Sequence, residues 1–529
     1  MAQIERDIPA VIEADGTVGY YSMTSPPDNS IAVCEKVPDR IIPVIFVPGI
    51  MGTNLASLSN DNPIWELDNK WLFGAAWIFK NGKQRKKLLD PANTRVSGDG
   101  KIPTGTKQPE SELRRRGWGE VGHMTYGKFL VWLENALDDA SSCKTGLRHE
   151  LISRLVSDDP SVAPLTYDEV ALSYKYLFPV HAVGYNWLQS NVASACRLDG
   201  KIKEIIEHYE DLKKRCECVI LVTHSMGGLV ARYYTMCLSR EKCRSASDAP
   251  APVLGVVHGV MPATGAGTAY KRMKAGTEGF MVGRALGKSA AEMVPVFAQS
   301  PGALELMPSS DYGRGWLQIR DRNQSMHLPE SRNVYDEIYT VRDKWWGLCE
   351  DFRINPSDIR KTYIEQDWRR YVKLIGRVRK FHANISKKYH PNTYVFYGDD
   401  LTKRAWGDVV WRQDQTYRVI NKDGRYPDNV AEGDVYVNYG KTQREVQQTA
   451  QGEAIGAVYE LQAACESGDG TVPLRSGQAP LGWVKVCIPY TNVDHEEAFD
   501  QEPQRLFTLW AITKIAYRVR ETSMAYGDQ

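Results

Sequence analysis

Hydrophobic and polar positions fall into two regimes along this chain. Short apolar runs of the kind that fill a doubly covered sheet occur at Ile41–Val47, Val219–Val222, Val253–Val257, Tyr394–Tyr397 and Trp483–Ile488. Between them the period lengthens. Ile202, Ile205, Ile206, Tyr209 and Leu212 recur at steps of three and four, which places them on one face of a helix. Met226–Leu238 reads as a second helix directly after an apolar run. Helices alternating with buried strands imply an α/β layer architecture, with a mostly parallel central sheet flanked by helices.

Several stretches depart from that alternation. Residues 1–40 lack periodicity and read as an extended arm, and residues 54–120 read as loop, with Trp65, Trp71 and Trp77 embedded in it. Residues 309–390 are helical, charged and tryptophan-bearing, which suits a cap. Residues 401–460 contain Asp-Gly and alternating segments such as Asp434–Tyr439, as in short antiparallel strands. The core is therefore expected in pieces, at 41–308, 391–400 and 461–529, with a helical cap at 309–390 and a β-rich insertion at 401–460.

Composition narrows the function classes. The 529 residues can bury more than one core, and a net charge of +1 gives no electrostatic case for binding nucleic acid. Two local basic runs, Lys80–Lys87 and Arg114–Arg116, are either solvated loops or points of attraction to an anionic membrane surface. The first residues carry acids and no apolar run of signal-peptide length, and no stretch reaches the ~20 apolar residues of a spanning helix. The expectation is a protein cytoplasmic as synthesised, with any export following a signal-independent route. Ten scattered cysteines suit reduced, buried thiols better than a disulfide framework, and the Cys216/Cys218 pair lacks a second ligand pair for zinc. No metal or cofactor is implied.

The chemistry concentrates in three segments. Thr223-His224-Ser225-Met226-Gly227-Gly228 lies after a strand and before a helix, the context of a nucleophile elbow, where a sharp turn lifts a serine hydroxyl above the sheet. The pattern departs from Gly-x-Ser-x-Gly at Thr223, where a β-branched side chain stands in place of glycine. Pro48-Gly49-Ile50-Met51-Gly52 follows the first apolar run and could supply backbone N–H groups to an oxyanion, with Ile50 and Met226 as the two donors. Ser467-Gly468-Asp469-Gly470 presents an acid between glycines, and twenty-six residues later His495 follows the last apolar run. The order Ser225, Asp469, His495 is the one that α/β-hydrolases use. His258, after the Val253–Val257 run, is the rival base, whereas His224 reads as a packing residue.

These segments resemble the lipase branch of the α/β-hydrolases that includes lecithin:cholesterol acyltransferase and the GPI inositol-deacylases. The resemblance rests on Phe46–Gly52, Gly184-Tyr185-Asn186-Trp187, Thr223–Gly228, Pro301–Pro308 and Gly468–Pro473, in that order along the chain. Lacking a signal peptide, the chain is also similar to bacterial type VI secretion lipase effectors. The resemblance implies a serine-dependent lipid ester hydrolase, a lipase or phospholipase acting through an acyl-enzyme, with Ser225, Asp469 and His495 as triad. It further implies a peripheral membrane surface as partner and a cognate inhibitor or delivery protein. An acyltransferase, a soluble carboxylesterase and an inactive hydrolase fold serving as a binding module are the alternatives.

Overall fold

The computed structural model describes residues 5–8, 10–12, 18–23, 30–34, 38–68, 77, 79–139, 145–160, 162–238, 251–278, 287–321, 324–342, 344–418, 435–436, 443–450 and 453–526. Its centre is a six-stranded sheet. In chain order the strands and the helices that cover them are β1 (Val44–Val47), α1 (His123–Leu137), β2 (Val180–Ala182), α2 (Asn191–Asp211), β3 (Val219–His224), α3 (Gly227–Cys237), β4 (Val253–Gly259), α4 (Gly267–Ala275), α5 (Ala290–Phe297), α6 (Lys361–Ile385), β5 (Thr393–Gly398), β6 (Val486–Tyr490) and α7 (Glu502–Ala516). The spatial order is β6-β5-β4-β3-β1-β2, and every neighbouring pair is parallel.

Strand periodicity explains why both faces are covered. Ile45 and Val47 of β1 and Val219 and Leu221 of β3 point into one core, with Leu198, Ile202 and Ile205 of α2 and Leu229 and Val230 of α3. The intervening Val44, Phe46, Ile220 and Val222 point into the opposite core, against Phe129 and Leu133 of α1 and Phe507 and Trp510 of α7. A strand buried on both sides has no polar positions to alternate with. That is why these runs read as continuously apolar. This is an α/β-hydrolase fold.

Four expectations need correction. The last strand occupies Val486–Tyr490, and Trp483 lies before it in an exposed turn. Residues 54–120 are not simply loop: Leu55–Ser57, Pro63–Trp65 and Thr94–Val96 form a three-stranded sheet, and Gly82–Leu88 and Glu110–Arg115 are helices. The stretch 309–390 supplies strands Leu317–Arg320 and Ser325–Leu328 as well as α6, and they join Val409–Arg418, Glu453–Leu461, Gln443–Ala450 and Val435–Tyr436 in a second six-stranded sheet. Cys196 is disulfide-bonded, while Cys216, Cys218, Cys237, Cys349, Cys465 and Cys487 are free. Trp71, Cys143 and most of the Asp434–Tyr439 alternation lie outside the described residues.

Helix α6 packs on the core through Trp368, Tyr371, Ile375, Val378 and Phe381, spaced by three and four. Arg232 of α3 secures its end, donating to the carbonyls of Ile385 and Lys388 and to Ala263. A buried guanidinium with three carbonyl acceptors at a helix C-terminus meets both its hydrogen-bonding need and the negative end of the helix dipole.

Candidate active site

The turn between β3 and α3 holds Ser225 in a left-handed conformation, φ 51°. A non-glycine residue avoids that region unless its surroundings impose it. Here they do. The Ser225 N–H donates to the Gly259 carbonyl at 2.9 Å, and Gly228 N–H returns to the Ser225 carbonyl at 2.9 Å. A Cβ on Gly227 would lie 2.4 Å from the Val47 carbonyl oxygen, so α3 can start this close to β1 only with glycine there.

His495 reaches the serine from the irregular segment between β6 and α7. Its Nε2 stands 2.9 Å from Ser225 Oγ, and its Nδ1 donates to Asp469 Oδ2 at 2.8 Å. With Nδ1 protonated, a neutral Nε2 accepts the serine proton, the polarity a general base requires. Asp469 is held by the chain's own backbone: Oδ1 accepts from Thr471 N–H at 2.9 Å and Val472 N–H at 2.6 Å. The acid comes to the end of β5 because strand Glu466–Gly468 pairs antiparallel with Asp400–Ala405, which continues from that end. Asp469 is 2% exposed and Ser225 4%. The structure thus brings Ser225, Asp469 and His495 together.

Ile50 and Met226 both border the serine. Met226 is the residue after it, and Ile50 lines the same cleft. Among the described residues neither N–H has a protein acceptor, whereas Gly49 N–H is already taken by Tyr126 Oη at 3.0 Å.

The rival base is occupied elsewhere. His258 Nδ1 shares a 2.7 Å hydrogen bond with Thr223 Oγ1, and burial holds its imidazole down at about 3. This contact also accounts for threonine where the elbow pattern has glycine: the hydroxyl satisfies a buried imidazole between β3 and β4. His224 is no mere packing residue, since both its ring nitrogens are hydrogen-bonded, to Tyr126 and to the His495 carbonyl. Sequence reasoning missed Tyr126, for a lone tyrosine in an amphipathic helix carries no signal of its own.

Above the serine lies a cleft of about 150 Å³ with apolar walls, including Ala266, Ala269, Met293, Phe297, Leu306 and Met307. Among the described residues, Arg272 of α4 is the one lysine or arginine on that wall, with Nη2 donating to Thr471 Oγ1 at 3.2 Å and Nε to Glu278 at 3.0 Å. The described residues contain no group of three or more metal-ligating side chains.

Comparison with known proteins agrees with this architecture. Residues 194–243, which take in most of α2, β3, Ser225 and α3, match the PGAP1-like alpha/beta domain family. No curated protein sequence matches the chain. Among solved structures, a chain from the crystal structure of the Tle4–Tli4 complex is similar at 29% identity with a TM-score of 0.73, the alignment covering 90% of this chain and 98% of that one. Both likenesses fall among the α/β-hydrolase lipases that the sequence motifs resemble.

Proposed function

We propose that the chain hydrolyses lipid esters through an acyl-enzyme on Ser225. The observation that carries the reading is the bonded series Ser225 Oγ, His495, Asp469 at the foot of an apolar cleft. As Oγ attacks an ester carbonyl, His495 Nε2 takes its proton and later delivers it to the departing alcohol. Asp469 keeps the imidazole in the Nδ1–H tautomer and stabilises the imidazolium. The Ile50 and Met226 N–H groups receive the oxyanion, each worth roughly 3 kcal/mol of barrier. Water then resolves the acyl-enzyme by the same route in reverse.

The cleft supports a long acyl chain as substrate, because its walls offer apolar side chains along most of their surface. Arg272 on the cleft wall supports an anionic head group, as a cation whose Nη1 is left over by its bonds to Glu278 and Thr471. The likeness to a chain solved in the Tle4–Tli4 complex supports a protein partner that binds this chain and restrains it. We extend the proposal to an antibacterial role after signal-independent delivery. A fluorophosphonate probe should label the wild type and spare Ser225→Ala, and phospholipid vesicles should be cleaved faster than short p-nitrophenyl esters. Directed to a Gram-negative periplasm, the wild type should arrest growth and Ser225→Ala should not. A folded Ser225→Ala protein that still hydrolyses esters at the wild-type rate would sink the reading.

A further inference from the structure

His495 sits on a segment of turns and bends, residues 491–501, and Ile50 on another irregular loop, yet the chemistry needs both at fixed distances from Ser225. Two side chains outside the triad connect these loops. His224 Nε2 lies 2.7 Å from the backbone carbonyl of His495, and His224 Nδ1 lies 2.9 Å from Tyr126 Oη. Tyr126 Oη also accepts the Gly49 N–H at 3.0 Å.

The directions of these bonds follow from what each atom can do. A carbonyl oxygen only accepts, so His224 carries its proton on Nε2 and leaves Nδ1 bare. The Tyr126 hydroxyl must therefore donate to Nδ1, and its oxygen keeps a lone pair for Gly49 N–H. The chain runs one way, from Gly49 N–H through Tyr126 and His224 to the His495 carbonyl, with no donor or acceptor left over. Burial keeps it so: the His224 imidazole is held down to about 3, first by desolvation and then by the neighbouring His495, and the Tyr126 hydroxyl is pushed far above its ordinary value. The approach is tight as well, since a Cβ on Gly49 would lie 2.8 Å from His224 Nδ1. His495 is thus pinned at both backbone groups, its N–H donating to the Asp469 carbonyl at 3.0 Å.

We propose that Tyr126 and His224 are positioning residues, a relay that holds the base loop and the oxyanion loop in register with Ser225. The relay rests on the reading of Ser225 as nucleophile. Taking Gly49 N–H out of the cleft is part of its action, because it leaves the N–H groups that follow it, Ile50's first, as the donors this loop offers to the substrate.

Two amides separate positioning from packing. In His224→Gln the side-chain amide nitrogen overlies imidazole Nε2 and can still donate to the His495 carbonyl. In His224→Asn the amide reaches only the Nδ1 position and leaves that carbonyl unbonded. We expect His224→Asn to be at least about tenfold slower than His224→Gln in kcat on a short soluble ester and in fluorophosphonate labelling, with KM and thermal midpoint alike in the two. Hydrogen exchange of residues 493–500 should rise in His224→Asn and not in His224→Gln. Tyr126→Phe should raise exchange in residues 48–52. Equal loss in the two His224 variants, rates that fall only in step with thermal stability, or unchanged exchange in both loops would overturn the relay. A wild type that neither labels nor hydrolyses would overturn the reading of Ser225 instead, and the exchange measurements would still decide the relay.

Discussion

Replacing Asp469 by asparagine tests the site with almost no change of shape. Asp469 Oδ1 accepts two backbone N–H groups at 2.9 and 2.6 Å, while Oδ2 accepts His495 Nδ1–H at 2.8 Å. An amide has one oxygen to offer. If it faces Thr471 and Val472, its NH2 faces His495 and demands a bare Nδ1. If it faces His495, the NH2 confronts two backbone donors inside hydrogen-bond distance. The first orientation keeps every bond once the imidazole changes tautomer, whereas the second loses two at a buried position, each costing on the order of 1–3 kcal/mol, so the first prevails. The imidazole then carries its proton on Nε2, which points it at Ser225 Oγ as a donor that can take no proton. We therefore expect kcat to fall about ten-thousandfold at neutral pH, about 5.5 kcal/mol of barrier, while the fold loses about 1–2 kcal/mol from a weakened, no longer charge-assisted turn. Initial rates on a short ester, fluorophosphonate labelling and thermal unfolding of the same preparation measure both effects. Activity within about tenfold of wild type in a folded Asp469→Asn protein would refute the tautomer argument.

Three other outcomes follow from the same geometry. His495→Ala should reduce kcat nearly as far as Ser225→Ala, whereas His258→Ala should retain the active constellation and lower the thermal midpoint, because Thr223 Oγ1 loses its buried partner; an inactive His258→Ala beside an active His495→Ala reverses the assignment. His224, His258 and His382 are held down to about 3, 3 and 4 by burial, so they stay neutral when folded and protonate near 6.5 when unfolded; their stabilisation is complete above that pH and is lost as pH falls toward 4, at up to about 4 kcal/mol per pH unit, and urea unfolding curves flat across that window would contradict it. Lys83 and Lys87 stand exposed on helix Gly82–Leu88, which packs on α5 at the cleft wall, so cleavage of anionic vesicles should weaken with added salt while a short neutral ester is unaffected; equal salt dependence of the two substrates would rule this out.

The parts of this molecule that were legible in the sequence are those whose cause is local. A doubly buried strand needs consecutive apolar residues, and an elbow needs small residues after its serine, so β3, Ser225 and α3 announce themselves within twenty residues. Strand β2 does not: it has three residues, and its middle one is His181, buried with its Nε2 hydrogen-bonded to Tyr209 Oη at 2.8 Å. Trp483 misplaced the start of the last strand because a β-preferring residue ended up in a turn that tertiary context imposed. The basic run Arg114–Arg116 drew attention as an exposed charge, yet each arginine is paired, with Glu110, with Glu112, and with Glu112 and Glu134. Three of those pairs follow the local i,i+3 and i,i+4 spacing of a helix, whereas Arg116–Glu134 joins two helices and leaves no local pattern. Tyr126 is the extreme case. Its contacts lie 77 and 98 residues away, so only the fold can bring them to it.

The histidines show why order along the chain picks out His495 as the proposed base where residue type could not. His181, His224, His258 and His382 are buried with partners that suit a neutral ring: a tyrosine for His181, a tyrosine and a carbonyl for His224, a threonine for His258, a tyrosine and a carbonyl for His382. Such a ring is a poor base, because protonating it would place a charge in a dry interior with no countercharge. His495 differs in two respects that matter chemically. Its side chain keeps 12% exposure at the cleft, where a substrate can reach it, and its far nitrogen faces a carboxylate that can balance an imidazolium. The neutral rings are not idle, however. By staying uncharged well below neutral pH, His224 can hold the His495 backbone with a bond whose direction does not reverse, as the proposed relay requires.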